Sequence, residues 1–344
     1  MNLREWLAHG EAELSGGPHP DRARRDAELL LLHQIGKNKA WLMAHADDDF
    51  AGCEAIGYAA LLERRRRGEP IQYITGECEF YGLPFRVTPD VLIPRPETEH
   101  LVEKALGLSK AEFVVSHPNR TGRGLDGAPS ILDIGTASGA IAEGPQQEIV
   151  ISETVGAPSF RRSLPEGWET TNPTQPPRIL DIGTGSGAIA IALAAHLPQV
   201  AITAIDISPA ALAVARENAT RNGVADHIRF LQGDLLAPVT GEQFEIIVSN
   251  PPYVPDTDRA LIAVEVREHE PAVALFAGED GLDIYRRLIP SAFAALVPGG
   301  FLLLEIGFTQ ARAIEELLRS AGFESVEFAA DLQGIPRVAS ARRP

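Results

Sequence analysis

The sequence is poor in cysteine: Cys53 and Cys78 are the only two in 344 residues. They lie too far apart for a CxxC pair and are too few for a disulfide framework or a zinc cluster, so neither a metal site nor an oxidising compartment is expected. An excess of basic residues is missing as well. Lys and Arg number 31 against 47 Asp and Glu, a formal net charge of -16. That balance argues against a broad electrostatic grip on phosphate backbones and for action on a protein or a small molecule. Long apolar runs are absent, and "MNLREWLAHGEAELSGG" carries charges where a signal peptide needs a continuous apolar core. A cytoplasmic protein without a membrane partner is expected.

A hydrophobic share of 44% over this length supports a sizeable core and two domains. Residues 1–75 show apolar positions at helical spacing in "DRARRDAELLLLHQIG" and "CEAIGYAALLERRRRG", which predicts a small helical domain. The run Arg64 to Arg67 reads as the cationic last turn of a helix, complementing its dipole, in preference to a partner-binding patch. In residues 76–106, "CEFYGLPFRVTPDV" alternates around a Gly-Leu-Pro turn as a short hairpin would, and "LIPRPETEHLVEKAL" opens a linker helix with Glu97 and Glu99 in its first turn. Residues 107–177 form an insert of which Pro and Gly make up roughly a quarter, near the level of unstructured segments.

From 178 to 344 short apolar runs alternate with helical patterns: "RILDI", "AITAIDI", "IRFLQ", "FEIIVSN" and "GFLLLEIG" as buried strands, separated by helices. This is an α/β pattern, and it predicts a parallel sheet covered on both faces, with ligands gathering beyond the C-terminal ends of the strands. "DIGTGSG", Asp181 to Gly187, falls between a strand and a helix, where Gly183, Gly185 and Gly187 permit a tight turn and Thr184 and Ser186 complete a loop that a ligand can approach closely. Asp206 ends the next strand, where a carboxylate can accept from both hydroxyls of a ribose. Asp234 ends the third strand, where it can meet an adenine amino group. These carboxylates do not separate S-adenosylmethionine from a dinucleotide.

The fourth strand decides between them. "FEIIVSNPPYV" puts Asn250, Pro251, Pro252 and Tyr253 just beyond its end, in a turn that two prolines stiffen. A nitrogen conjugated to a carbonyl or an aromatic ring is a poor nucleophile, so an enzyme that methylates it must hold its N–H groups and expose the nitrogen to the methyl donor. The Asn250 side-chain oxygen and the Pro251 carbonyl can accept those hydrogens while Tyr253 packs on the flat amide. Alignment and charge stabilisation then supply the catalysis. A dedicated general base is not required, because the product nitrogen can lose its proton after transfer.

With "PIQYITGECEFYGLPFRV", "VLIPRPETEHLV", "ILDIGTGSGAIAIALA", "IVSNPPYV", "EPAVALFAGEDGLDIYRRL", "LEIG" and "DLQGIPRV" in this order, the chain resembles the release factor glutamine methyltransferases, the PrmC/HemK family. The resemblance implies a Rossmann-like S-adenosylmethionine-dependent methyltransferase domain behind a helical domain that recognises the substrate. It also implies N5-methylation of the glutamine in the Gly-Gly-Gln motif of peptide chain release factors, with S-adenosyl-L-methionine as cofactor. By residue, it implies Gly183 to Gly187 on the cofactor loop, Asp206 on the ribose and Asn250 to Tyr253 on the substrate amide. Leu235 departs from relatives that carry an aromatic residue beside the adenine. A nucleic-acid adenine-N6 or cytosine-N4 methyltransferase can use the same loop, but the acidic balance and the lack of a basic recognition region weigh against it. A non-catalytic binding module is a third reading, disfavoured by the intact order of motifs.

One motif is written twice. "ILDIGTASGAIA" at 131–142 differs from "ILDIGTGSGAIA" at 179–190 only in Ala137 against Gly185. The first copy runs into Gly144 and Pro145, which break its helix after about one turn, and no strand with a terminal carboxylate follows it at the spacing of Asp206. The cofactor loop is therefore expected in the second copy.

Overall fold

A computed structural model of the chain describes residues 1–115, 176–331 and 333–344, with the backbone alone at 110–115. The first copy of the doubled motif lies outside the described residues.

Five helices open the chain: α1 (Leu3–Ser15), α2 (Ala23–Ile35), α3 (Lys39–Ala44), α4 (Cys53–Arg66) and α5 (Ile71–Thr75). A capping box starts α1: Asn2 accepts the Glu5 N–H at 2.9 Å, and the Glu5 carboxylate accepts the Asn2 N–H at 3.0 Å. Leu30, Leu31 and Tyr58 are fully buried at the centre of this bundle. A Cβ at Gly10 would come within 2.2 Å of the Tyr58 hydroxyl, so α1 can approach α4 this closely only without a side chain there. The basic run ending α4 divides. Arg66 and Arg67 pair with Glu63 at 2.8 Å each and Arg64 pairs with Glu69, all near solvent. Arg65 is the exception to the helix-end reading. It is buried, donates to Asp26 at 2.7 Å and to the Glu69 carbonyl at 2.9 Å, and reaches Glu265, two hundred residues away, at 2.9 Å.

The hairpin pairs β1 (Glu77–Phe80) with β2 (Leu83–Arg86). Its turn is Tyr81-Gly82, both at positive φ (53° and 72°), one step earlier than the Gly-Leu-Pro reading; left-handed backbone at both positions matches the twist of a two-residue hairpin. A 3-10 turn, Pro96–Thr98, leads into α6 (Glu99–Val115), whose first residue accepts the Tyr81 N–H at 2.9 Å.

The remainder alternates: β3 (Arg178–Ile182), α7 (Ala188–His196), β4 (Ala201–Asp206), α8 (Pro209–Arg221), β5 (Ile228–Gln232), β6 (Phe244–Ser249), α9 (Val264–His269), α10 (Asp283–Ala295), β7 (Leu296–Glu305), α11 (Ala311–Ser320), β8 (Glu324–Ala330) and β9 (Pro336–Arg342). The seven strands form one sheet in the order β5-β4-β3-β6-β7-β9-β8. Successive residues of β3 serve opposite faces: Ile179 joins the core under α6, α7 and α8, while Leu180 and Ile182 join the core under α10 and α11. That two-sided burial explains why the central strands read as unbroken apolar runs. The sheet is mixed rather than wholly parallel, because β9 runs antiparallel to both β7 and β8. The short connection from β8 to β9, closed by Asp331 N–H to the Ile335 carbonyl at 2.9 Å, makes a hairpin, and a hairpin can only pair antiparallel strands. Among the described residues no helix is long and apolar enough to cross a membrane.

Candidate active site

From β3 the chain proceeds outward through β4 to β5, then returns to place β6 on the other side of β3. Such a reversal leaves a crevice past the C-terminal strand ends. A cleft of about 330 Å³ lies there, lined by the ends of β3 (Ile182, Gly183, Gly185), β4 (Asp206 to Ser208) and β6 (Ser249 to Pro252), and by Gly233 to Leu235 after β5. The Ser249 hydroxyl donates to the Ile182 carbonyl at 2.7 Å, fastening the two strand ends that flank the crevice.

The glycine loop of the second motif copy forms part of the wall. Gly183, Gly185 and Gly187 all have positive φ (73°, 54° and 85°), as the turn requires. Only Gly183 and Gly185 reach the cleft. Thr184, Ser186 and Gly187 build the loop from behind, and Thr184 Oγ1 donates to Asp181 Oδ2 at 2.6 Å. Asp181 is fully buried, and its Oδ1 has no hydrogen-bond partner among the described residues. Burial pushes its carboxyl up to about 7, against the pull of the Thr184 hydroxyl. Asp181 itself does not line the cleft, so it is the bare backbone of Gly183 and Gly185 that a ligand can approach there.

Asp206 Oδ2 accepts the Gly185 N–H at 2.8 Å and Oδ1 accepts the Ser208 N–H at 2.9 Å. Each oxygen keeps a second lone pair, enough for the two hydroxyls of a ribose. Asp234 lines the cleft too, but it is half-exposed and ion-paired with Arg287 of α10, so its carboxylate is engaged at the rim. Leu235 also lines the cleft, with a positive φ of 51°, a conformation that side chains other than glycine rarely adopt.

Beyond β6, Asn250, Pro251 and Pro252 line the cleft. Tyr253 stands behind them. Its hydroxyl donates to Glu305 Oε1 at 3.4 Å and its carbonyl accepts from Gln310 Nε2 at 2.9 Å. Val254 is strapped to the segment before α10 by hydrogen bonds to Leu275 and Ala277 (2.9 and 3.0 Å). A Cβ at Gly281 would meet the Tyr253 carbonyl at 2.3 Å, so that glycine admits the loop.

Two family models match the chain: the PrmC N-terminal domain over residues 5–76 and the Methyltransferase small domain over residues 169–268. The second match contains the motif copy at 179–190 and not the one at 131–142. Release factor glutamine methyltransferases are similar along nearly the whole length. That of Koribacter versatilis is 36% identical over 98% of this chain and 96% of its own, that of Deinococcus radiodurans 37% over 100% and 99%, and that of Salmonella typhimurium 34% over 99% and 99%. The chain belongs to the release factor glutamine methyltransferase family. Its methyl donor is S-adenosyl-L-methionine.

In this family member three further residues converge on the site that reasoning from the sequence did not single out. Asn218 of α8 is fully buried and joins β2 to the glycine loop. Thr98, in the turn before α6, accepts a hydrogen bond from Asn250 Nδ2 at 3.1 Å and donates one to Glu305 Oε2 at 2.6 Å. Glu305 ends β7 and is 2% exposed; burial pushes its carboxyl up to about 7. Thr98 and Glu305 stand inside the quoted motifs "IPRPETE" and "LEIG", which was the available signal. Arg95, in the first of these motifs, pairs at 2.5 Å with the buried Glu270 and anchors the same segment to the loop after α9.

Proposed function

We propose that the chain transfers a methyl group to the side-chain nitrogen, N5, of the glutamine in the Gly-Gly-Gln motif of peptide chain release factors. The reading rests above all on Asn250 and Pro251 lining the same cleft as Gly183 and Gly185, at the ends of the paired strands β6 and β3, in a chain whose N-terminal unit is of the PrmC type. S-adenosyl-L-methionine, when bound, supplies an electrophilic methyl on a sulfonium. The residues present fit that donor: Asp206 would hold the ribose, Gly183 and Gly185 would let the molecule approach the loop, and the buried Asp181 carboxylate would favour its cationic amino-acid end. Asp234 and Leu235 border the adenine.

Asn250 Oδ1 and the Pro251 carbonyl accept the two hydrogens of the substrate amide and turn its nitrogen toward the methyl. Transfer would form the N–C bond in exchange for the donor's sulfur–methyl bond, and positive charge would grow on the nitrogen that these residues hold. Fixed acceptors stabilise that charge without having to reorganise. The nitrogen then gives a proton to water, leaving the methylated amide neutral. Pro252 stiffens the loop, and Tyr253, held from behind by Glu305 and Gln310, supports it. The helical domain docks the release factor. Mass spectrometry of a release factor incubated with the enzyme and methyl donor tests this directly: the expected result is a single methyl on the Gly-Gly-Gln glutamine, and methyl appearing only on DNA or RNA would overturn it.

A further inference from the structure

An asparagine amide is nearly symmetric in shape, and only its polar neighbours decide which end faces which way. For the reaction above, the choice matters: the oxygen of Asn250 accepts from a substrate NH₂, whereas its own NH₂ would repel one. We propose that Thr98 and Glu305 are positioning residues that fix the Asn250 amide with its oxygen toward the cleft. The proposal rests on the reading of Asn250 as the acceptor of the substrate amide.

An ionised carboxylate only accepts hydrogen bonds. Glu305 Oε2 takes the single hydroxyl proton of Thr98 at 2.6 Å, and Oε1 takes that of Tyr253 at 3.4 Å. Having given its proton to Glu305, Thr98 Oγ1 can only accept on its other side. The Asn250 atom 3.1 Å from it must therefore be Nδ2, the donor. Among the described residues no hydrogen bond is directed at Oδ1, so it remains for the substrate. Both intermediaries are nearly sealed from water, Thr98 at 4% and Glu305 at 2% exposure, so solvent does not compete for these roles. The three residues come from the turn before α6, the end of β7 and the loop after β6, and the Tyr285 hydroxyl donates to the Glu305 carbonyl at 2.6 Å from a fourth element, α10.

Protonation reverses the polarity of the chain. A neutral Glu305 can donate to Thr98, which frees the Thr98 proton for Asn250 Oδ1 and turns the NH₂ end toward the substrate. Burial holds the Glu305 carboxyl near 7; Glu97 pushes it further up, while Thr98, Tyr253 and Arg337 pull it down. The productive arrangement therefore belongs to the ionised form, above about pH 7.

The test compares full-length wild type with Thr98→Val, Thr98→Ser, Glu305→Gln and Asn250→Ala, measuring kcat on a release factor at saturating methyl donor and, separately, donor affinity by calorimetry. Thr98→Val keeps the shape and loses the hydroxyl: kcat should fall at least about tenfold while donor affinity stays within about twofold. Thr98→Ser should recover activity to within about threefold of wild type. The wild-type kcat should decline on the acid side of about pH 7, and Glu305→Gln, which cannot titrate, should flatten that limb. If Thr98→Val is as active as wild type while Asn250→Ala is crippled, the positioning proposal fails and the reading of the site stands. If Asn250→Ala is itself unimpaired, the reading of the site fails and takes this proposal with it. Equal losses of kcat and donor affinity in Thr98→Val, or a Thr98→Ser as inactive as the valine, would overturn the proposal by making Thr98 merely structural. Should Thr98→Val not fold, the wild-type profile decides, and a flat kcat over roughly pH 6 to 8 overturns it.

Discussion

Asn218 clasps Arg86 at both ends of that residue: its Oδ1 accepts the Arg86 N–H at 2.7 Å, and its Nδ2 donates to the Arg86 carbonyl at 2.9 Å. The same Nδ2 donates to the Ser186 carbonyl at 2.9 Å. One side chain thus sets the distance between hairpin and glycine loop. Asn218→Ala would strand three backbone groups, and unfolding in urea should show a loss of about 2 kcal/mol or more. Asn218→Asp should be worse still, because it places lone pairs and a buried charge against two carbonyls.

A second expectation concerns pH. The Asp181 carboxyl is raised from 3.8 to about 7, chiefly by burial. Between those values the folded chain holds a proton that the unfolded chain has released, so stability from this group is full below the lower value and is lost as pH rises through the upper one. Asp181→Asn should accordingly stabilise the ligand-free enzyme at pH 8 by roughly 1–3 kcal/mol, as read from its thermal or urea unfolding. Donor affinity should run the other way. In the wild type it should strengthen as pH rises through about 7, since the ionised carboxylate is the better acceptor, and the substitution should weaken it and remove the trend.

The doubled motif offers its own experiment. Gly185→Ala rewrites the working loop as the copy at 131–142. At φ 54° the added methyl meets nothing within 4 Å, so the cost is backbone strain alone, about 1–2 kcal/mol. The variant should fold, lose about that much stability in urea and bind the donor more weakly. Gly187→Ala should cost more, because its Cβ would also press on Ile191 at 2.8 Å.

Arg65 tests the tie between the helical unit and α9, the helix that follows the NPPY loop. Arg65→Ala leaves the buried Asp26 carboxylate and Glu265 without their shared partner, a loss of roughly 3 kcal/mol. Arg65→Lys should restore less than half of it, because an ammonium cannot reproduce a fork aimed at two carboxylates and a carbonyl. Chemical denaturation of the three proteins measures both values.

What could be read from the chain alone was whatever is local. The alternation of β3 through α11, the glycine turn and the rigid NPPY loop are each written within a dozen residues, and a sheet of this kind brings strand ends together without further instruction. What could not be read depends on partners far apart in sequence. Thr98 meets Asn250 across 152 positions and Glu305 across 207, and although each stands in a recognisable motif, no motif says which of the others it will touch. Arg65 is one of four arginines in a row, and only burial distinguishes it. β8 escaped notice for a different reason. It lies at an open edge, mostly exposed and with no buried residue, so its alternation is faint beside the doubly buried strands.

The placement of β9 between β7 and β8 imposes an order of events on a chain made from its N-terminus. β8 emerges first, yet its neighbour in the sheet is β9, so it must wait beside an unfinished edge. Glu305 is in the same position, because its strand partner is Val338. While the chain is still being synthesised, the carboxylate behind Asn250 lacks one flank, and the site reaches its final form only when the last strand slides into place.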